Sequence, residues 1–163
     1  MSVIAYDGKT IAADHMASYG GAQIKCDKLF QIEPHIVVGF VGEHGMGKAL
    51  VDWFSQGAKQ EDYPRPQSED AAATLVVYTK HVNGTTDPNG VPICMFYTTS
   101  SPVPLELKDH PMAWGSGGQI ALGAMVAGAS ATKAVEIANT HAEGCGFGVS
   151  TFNLKKRSKR NDA

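Results

Sequence analysis

Paired cysteines are missing from this chain. Cys26, Cys94 and Cys145 are an odd number without C-x-x-C spacing, which argues against a disulfide framework and makes a reducing, cytoplasmic setting the expectation. Long apolar runs are missing too, and Met1 is not followed by the basic-then-apolar order of a signal segment. Neither a membrane protein nor a secreted one is therefore expected. Charge of one sign is also lacking: 14 Lys and Arg stand against 16 Asp and Glu, a formal net charge of −2, so nothing in the charge balance draws the chain to nucleic acid or an anionic membrane. His35, His44, His81, His110 and His141 are scattered singly with no H-E-x-x-H among them. The expectation is no metal and no cofactor. No internal repeat is visible.

What is present is one domain's worth of core. In 163 residues, 43% are hydrophobic and 18% charged, the balance of an ordinary globular domain. Residues 1–154 read as that domain, and 155–163 (KKRSKRNDA) as a basic tail expected to be disordered. Much of the glycine falls in two clusters, 39–47 and 115–128, which suggests close backbone approach or positive φ there.

The chain opens with two extended runs, 3–6 (VIAY) and 10–13 (TIAA), joined across Asp7-Gly8. Asp-Gly between such runs signals a hairpin. Residues 14–21 (DHMASYGG) read as a polar loop, 28–32 as a strand, and 35–41 (HIVVGFV) as a strand buried on both faces. Met46, Leu50, Val51, Trp53 and Phe54 then follow helical spacing up to Gly57. A surface connection over 57–71 leads to a strand at 73–79 and, past a loop over 83–90, to its antiparallel partner at 91–98. The Pro-rich stretch 100–111 precedes a short strand at 112–114. Helices follow over 120–127 and, capped by Ser130, through a face made of Ala134, Ile137, Ala138 and His141. A break at 144–148 gives way to a last strand over 149–154. Strand blocks alternating with helices predict an α+β fold with helix-covered sheets.

Two motifs could carry chemistry. Residues 42–48 (GEHGMGK) fit the G-x-x-x-x-G-K pattern between a strand and a helix, the setting of a phosphate-cradling loop. However, Ala49 stands where a metal-binding hydroxyl is required. The second is the amino terminus. If Met1 is excised, Ser2 becomes residue one and carries a hydroxyl and an α-amine together. An α-amine with a pKa near ~8 is partly neutral around neutral pH, so it can take the hydroxyl proton without a histidine. Such a nucleophile needs a nearby lysine, a carboxylate to hold that lysine, and a backbone N–H for the oxyanion. Lys28, Asp14 and Gly42 are candidates, with Lys28 and Asp14 expected to meet across a sheet.

These pieces, in this order, resemble the N-terminal-nucleophile (Ntn) hydrolases of the proteasome β-subunit and bacterial HslV type. The resemblance runs through Ser2-Val3-Ile4-Ala5, Ile11-Ala12-Ala13-Asp14, Ala17-Ser18, Lys28-Leu29, Gly39-Phe40-Val41-Gly42 and Gly115-Ser116-Gly117-Gly118. It implies a four-layer αββα sandwich with two antiparallel sheets between helix layers. It further implies Ser2 as nucleophile, Lys28 as active-site lysine, Asp14 as its carboxylate and Gly42 as oxyanion donor. Ser116 would lie by the terminal amine, Ser18 would align substrate and Phe40 would wall the specificity pocket. A homo-oligomeric ring enclosing its active sites, a peptide or unfolded-protein substrate and an ATP-dependent unfoldase as partner are the family's expectations.

The chain departs from the family's pattern in several places. The family's late Asp falls near Ala142, flanked by His141 and Glu143; Met16 replaces a frequent Arg; and the segment from Asp14 to Lys28 is about two residues short. The nucleophile is Ser rather than Thr, and with no propeptide expected, activation rests on Met1 removal alone. A catalytically inactive ring-forming homologue is the alternative reading.

Overall fold

The computed structural model describes residues 2–82, 85–86, 90–108 and 111–154. The first hairpin forms as its sequence predicts. Strands β1 (Ile4–Tyr6) and β2 (Ile11–Asp14) pair antiparallel with Ile4 opposite Ala13, and Gly8 takes φ +93° in the turn. Asp7 fixes the turn and more. One carboxylate oxygen accepts from the N–H groups of Lys9 and Thr10, at 2.9 and 2.8 Å, and the other from that of Ala131, at 2.8 Å.

Residues 14–21, expected to be a loop, instead contribute to a second hairpin of β3 (Met16–Tyr19) and β4 (Ala22–Lys25). Its turn is Gly20-Gly21, both at positive φ. β4 is exposed along its length, so the hairpin carries little of the apolar alternation that marks a half-buried strand.

β5 (Leu29–Glu33) and β6 (Ile36–Gly42) follow, and β6 meets the expectation of a strand buried on both faces. Helix α1 (His44–Ser55) begins at Glu43, whose carboxylate caps it by accepting from the Gly45 and Met46 N–H groups. A single 3₁₀ turn at Gln60–Asp62 lies in the surface connection. That connection is tied back by Trp53, whose indole N–H donates to Lys59 O at 2.8 Å and whose ring meets Tyr63 and Tyr97 edge-on.

Beyond it come β7 (Ala73–Thr79), a short pair β8 (His81–Val82) and β9 (Thr85–Thr86), and β10 (Ile93–Thr98), which pairs antiparallel with β7 as predicted. The Pro-rich stretch holds a strand that the sequence hid, β11 (Leu105–Leu107), at a sheet edge where missing proline donors cost nothing. β12 (Met112–Trp114), α2 (Gly118–Val126), α3 (Ala131–His141) and β13 (Val149–Phe152) complete the chain. Ser130 caps α3 through the Lys133 N–H, as expected. The buried face of α3 is Ala131, Ala134, Val135 and Ala138, and His141 is exposed rather than part of it. The basic tail 155–163 lies outside the described residues.

Among the described residues, nine of the strands form two large antiparallel sheets, β12-β1-β2-β13 and β11-β10-β7-β6-β5, while β3-β4 and β8-β9 stay as two-stranded pairs. The predicted αββα sandwich follows from how their side chains divide. Alternate residues of β1 and β2 (Ile4, Tyr6, Ile11, Ala13) join Leu29, Val37, Val41, Val76 and Tyr78 between the sheets. The intervening ones (Val3, Ala5, Ala12) pack under α2 and α3. Ile36, Val38 and Phe40 of β6 and Leu75 and Val77 of β7 face α1. The period of two along each strand thus fills three apolar seams, and each fully buried aliphatic side chain contributes roughly 1.5–3 kcal/mol. Among the described residues no helix is long and apolar enough to cross a membrane.

Asp7→Ala removes one acceptor group serving the first turn and the start of α3 together. The expected loss is about 1–3 kcal/mol, read as a lower urea midpoint with an unchanged slope.

Candidate active site

Asp14, the last residue of β2, has no exposed surface. A carboxylate in that position is tolerable only if its oxygens are answered. Oδ1 accepts from the Lys28 ammonium at 2.5 Å and from the Val3 N–H at 3.0 Å; Oδ2 accepts from the N–H groups of Met16 and Gly146, at 3.1 and 3.2 Å. Lys28 is 5% exposed and lies just ahead of β5. The expected pair therefore exists, but it joins two different sheets rather than neighbours in one. Gly39 keeps room for it, since a Cβ there would fall 2.6 Å from the Lys28 carbonyl oxygen.

Ser2 is 5% exposed and is gripped by the turn after β12. Its backbone nitrogen donates to Ser116 Oγ at 3.1 Å, and its carbonyl oxygen accepts from the Gly117 N–H at 3.1 Å and from Ser116 Oγ at 3.4 Å. Gly115 makes the grip possible. It sits at φ +94°, and a Cβ there would come within 2.2 Å of the Ser2 carbonyl oxygen. Met1 lies outside the described residues.

One cavity of about 310 Å³ brings most of the candidates together: Ser2, Ser18, Lys28, Phe40 and Gly42 all line it. Asp14 stands behind Lys28, and Ser116 behind the Ser2 nitrogen. Gly42 leaves β6 at φ +107°, with Ala72 O 2.4 Å from where a Cβ would be. The Phe40 ring stacks on Phe30, meets His44 edge-on and fills the space that a Gly47 side chain would need.

The glycine-rich stretch 42–48 thus answers to packing. Glu43 already satisfies the two α1 N–H groups that would receive a phosphate, and its pKa is lowered by those same hydrogen bonds. Lys48 lies over the Phe30 ring, 5.3 Å from its centre. Among the described residues no group of three or more His, Cys, Asp or Glu could hold a metal ion.

Two contributors escaped the sequence reading. Gly146 acts through its main chain alone: its N–H donates to Asp14 and its carbonyl oxygen accepts from the His15 N–H at 2.9 Å. Cys145 appeared merely as one unpaired cysteine, yet it is buried in the seam under α2 and α3, its Sγ 2.7 Å from where a Gly117 Cβ would be. Burial pushes its thiol pKa up, and so does the charge of Asp14, while the Lys28 charge opposes the shift. The available signal was the run Gly144-Cys145-Gly146 directly after a helix. Near the helix end itself, Ala142 has no side-chain acceptor, and His141 and Glu143 are exposed.

A family model described as proteasome subunit matches residues 1–145. Among solved structures, the chain is similar to eukaryotic HslV from Trypanosoma brucei, with 18% identity, a TM-score of 0.64, and coverage of 93% of this chain and 97% of that one. At that identity the likeness is one of fold. No curated protein matches the chain.

Asp14→Ala leaves the Lys28 ammonium buried without its counter-charge. The variant should lose about 3–5 kcal/mol of stability. The Asp14→Ala/Lys28→Met double variant should lose less than the two single losses added together, a deficit that equilibrium urea unfolding of all three measures.

Proposed function

The chain belongs to the proteasome subunit family, and from that premise we propose that it is a peptidase whose nucleophile is Ser2, freed by removal of Met1. The observation that carries this reading is the placement of Ser2, Lys28 and Gly42 around one cavity, with Ser116 on the Ser2 nitrogen.

With Met1 gone, the Ser2 nitrogen is an amine with a lone pair. It takes the proton from Ser2 Oγ as that oxygen attacks the carbonyl carbon of a peptide bond. The oxyanion so formed is received by the Gly42 N–H. Collapse breaks the C–N bond, the ammonium returns its proton to the leaving amine, and an ester on Ser2 remains. Water, deprotonated by the same amine, then hydrolyses the ester and restores the hydroxyl. Ser116 orients the amine, and the Lys28 charge, held in place by Asp14, favours the amine's neutral form. Ser18 aligns the substrate backbone and Phe40 limits the side chain that can enter. While Met1 remains attached the Ser2 nitrogen is an amide and none of this can begin.

As a member of this family the chain would act on peptides or unfolded proteins, in a cytoplasmic homo-oligomeric ring fed by an ATP-dependent unfoldase. Two features favour a second reading, an inactive ring former. Ala142 supplies no carboxylate where the family has one, and serine lacks the γ-methyl that would fix its rotamer.

Intact mass and peptide turnover separate the two. The peptidase should weigh about one methionine less than its translated chain. It should also cleave fluorogenic peptides with a rate that falls about 10³-fold or more in Ser2→Ala and in Lys28→Ala. A retained Met1, with turnover indifferent to both substitutions, selects the inactive reading.

A further inference from the structure

The cavity beside Ser2 carries its own charge pattern. Ala17, Phe40 and Val41 give it an apolar wall, while Asp27 and Glu43 stand among the lining residues with their carboxylates on the solvent side. Among the described residues Lys28 is the one lysine or arginine lining it, and its charge is already answered by Asp14 at 2.5 Å. Glu43 is held ionised by the two N–H groups that it caps, although the positive end of α1 offsets part of its charge. Asp27 has no such offset from a helix. Its side chain is 78% exposed and is steadied by His15 Nδ1 at 3.4 Å, a nitrogen that also lies 3.2 Å from Cys26 O. Tyr19, 80% exposed, also lines the cavity.

An apolar wall leading to an acidic rim suits a side chain with an aliphatic stem and a cationic head. Resting on the peptidase reading above, the geometry points to substrates with arginine or lysine at the residue that supplies the scissile carbonyl, with Asp27 as the principal selector. Glutamate in that position would meet two carboxylates. Leucine would gain the wall and leave the rim unused.

The test separates this inference from the reading beneath it by measuring binding and cleavage apart. Three fluorescein-labelled tetrapeptide amides, identical except for Arg, Leu or Glu at the last position, are titrated by anisotropy into Ser2→Ala protein at low salt. Arg should bind about fivefold tighter than Leu, the contribution of one exposed charge pair, and Glu should bind weakest. The Arg preference should shrink in 0.5 M salt, as screening requires. It should vanish in Ser2→Ala/Asp27→Asn and persist in Ser2→Ala/Asp27→Glu. Leu or Glu binding as tightly as Arg, an Arg preference indifferent to Asp27→Asn, or binding of none of the three overturns the inference. Cleavage of the same sequences by protein carrying Ser2 decides the peptidase reading independently. Absence of Ser2-dependent cleavage alongside an intact Arg preference removes the chemistry and keeps the selectivity.

Discussion

The buried contact between Asp14 and Lys28 is the constraint on which the structure turns. Asp14 belongs to one sheet and Lys28 to the threshold of the other, so the pair fixes how the two sheets sit face to face. Its remaining oxygen is filled by main-chain donors from two further places, the start of the β3–β4 hairpin and the loop after α3. Four parts of the chain are therefore positioned by one carboxylate. Such an arrangement tolerates partial loss poorly, because each donor left behind is buried without an acceptor. The site around Ser2 inherits its geometry from this knot.

Glycine serves the same end by absence. The chain has a look-alike of a nucleotide loop at 42–48 because three separate packing demands fall close together. Gly42 turns the backbone out of β6, Gly45 begins a helix beneath the Glu43 cap, and Gly47 yields its volume to Phe40. None of these involves a phosphate. The pattern on paper and the physics behind it are different things, and Ala49 was the residue that already told them apart.

Much of the fold was legible because its core elements follow strict periods. The Asp-Gly hairpin, the doubly buried β6, the amphipathic α1 and the Ser130 cap were each readable from local chemistry. What failed to show was whatever lacks an apolar face. The β3–β4 hairpin is largely exposed, and β11 sits among prolines at an edge, so neither carries a burial signal. His141 kept helical spacing with Ala134 and Ala138 yet faces outward, since the α3 stripe runs through Ala131 and Val135 instead. At the site, most of the side chains singled out by the resemblance gather around one cavity, whereas Gly146, which contributes only main-chain groups, and Cys145, which packs in the apolar seam under α2 and α3, left no motif to recognise.

The grip on Ser2 has a temporal meaning. The Gly115–Gly117 turn holds the residue through its carbonyl oxygen, on the far side of the bond that joins it to Met1. The Ser116 hydroxyl can meet the Ser2 nitrogen whether that atom is an amide or an amine. Severing the Met1-Ser2 bond would therefore leave every anchoring contact where it was. Loss of Met1 from such a molecule would be pure subtraction, asking no rearrangement of the contacts that hold Ser2.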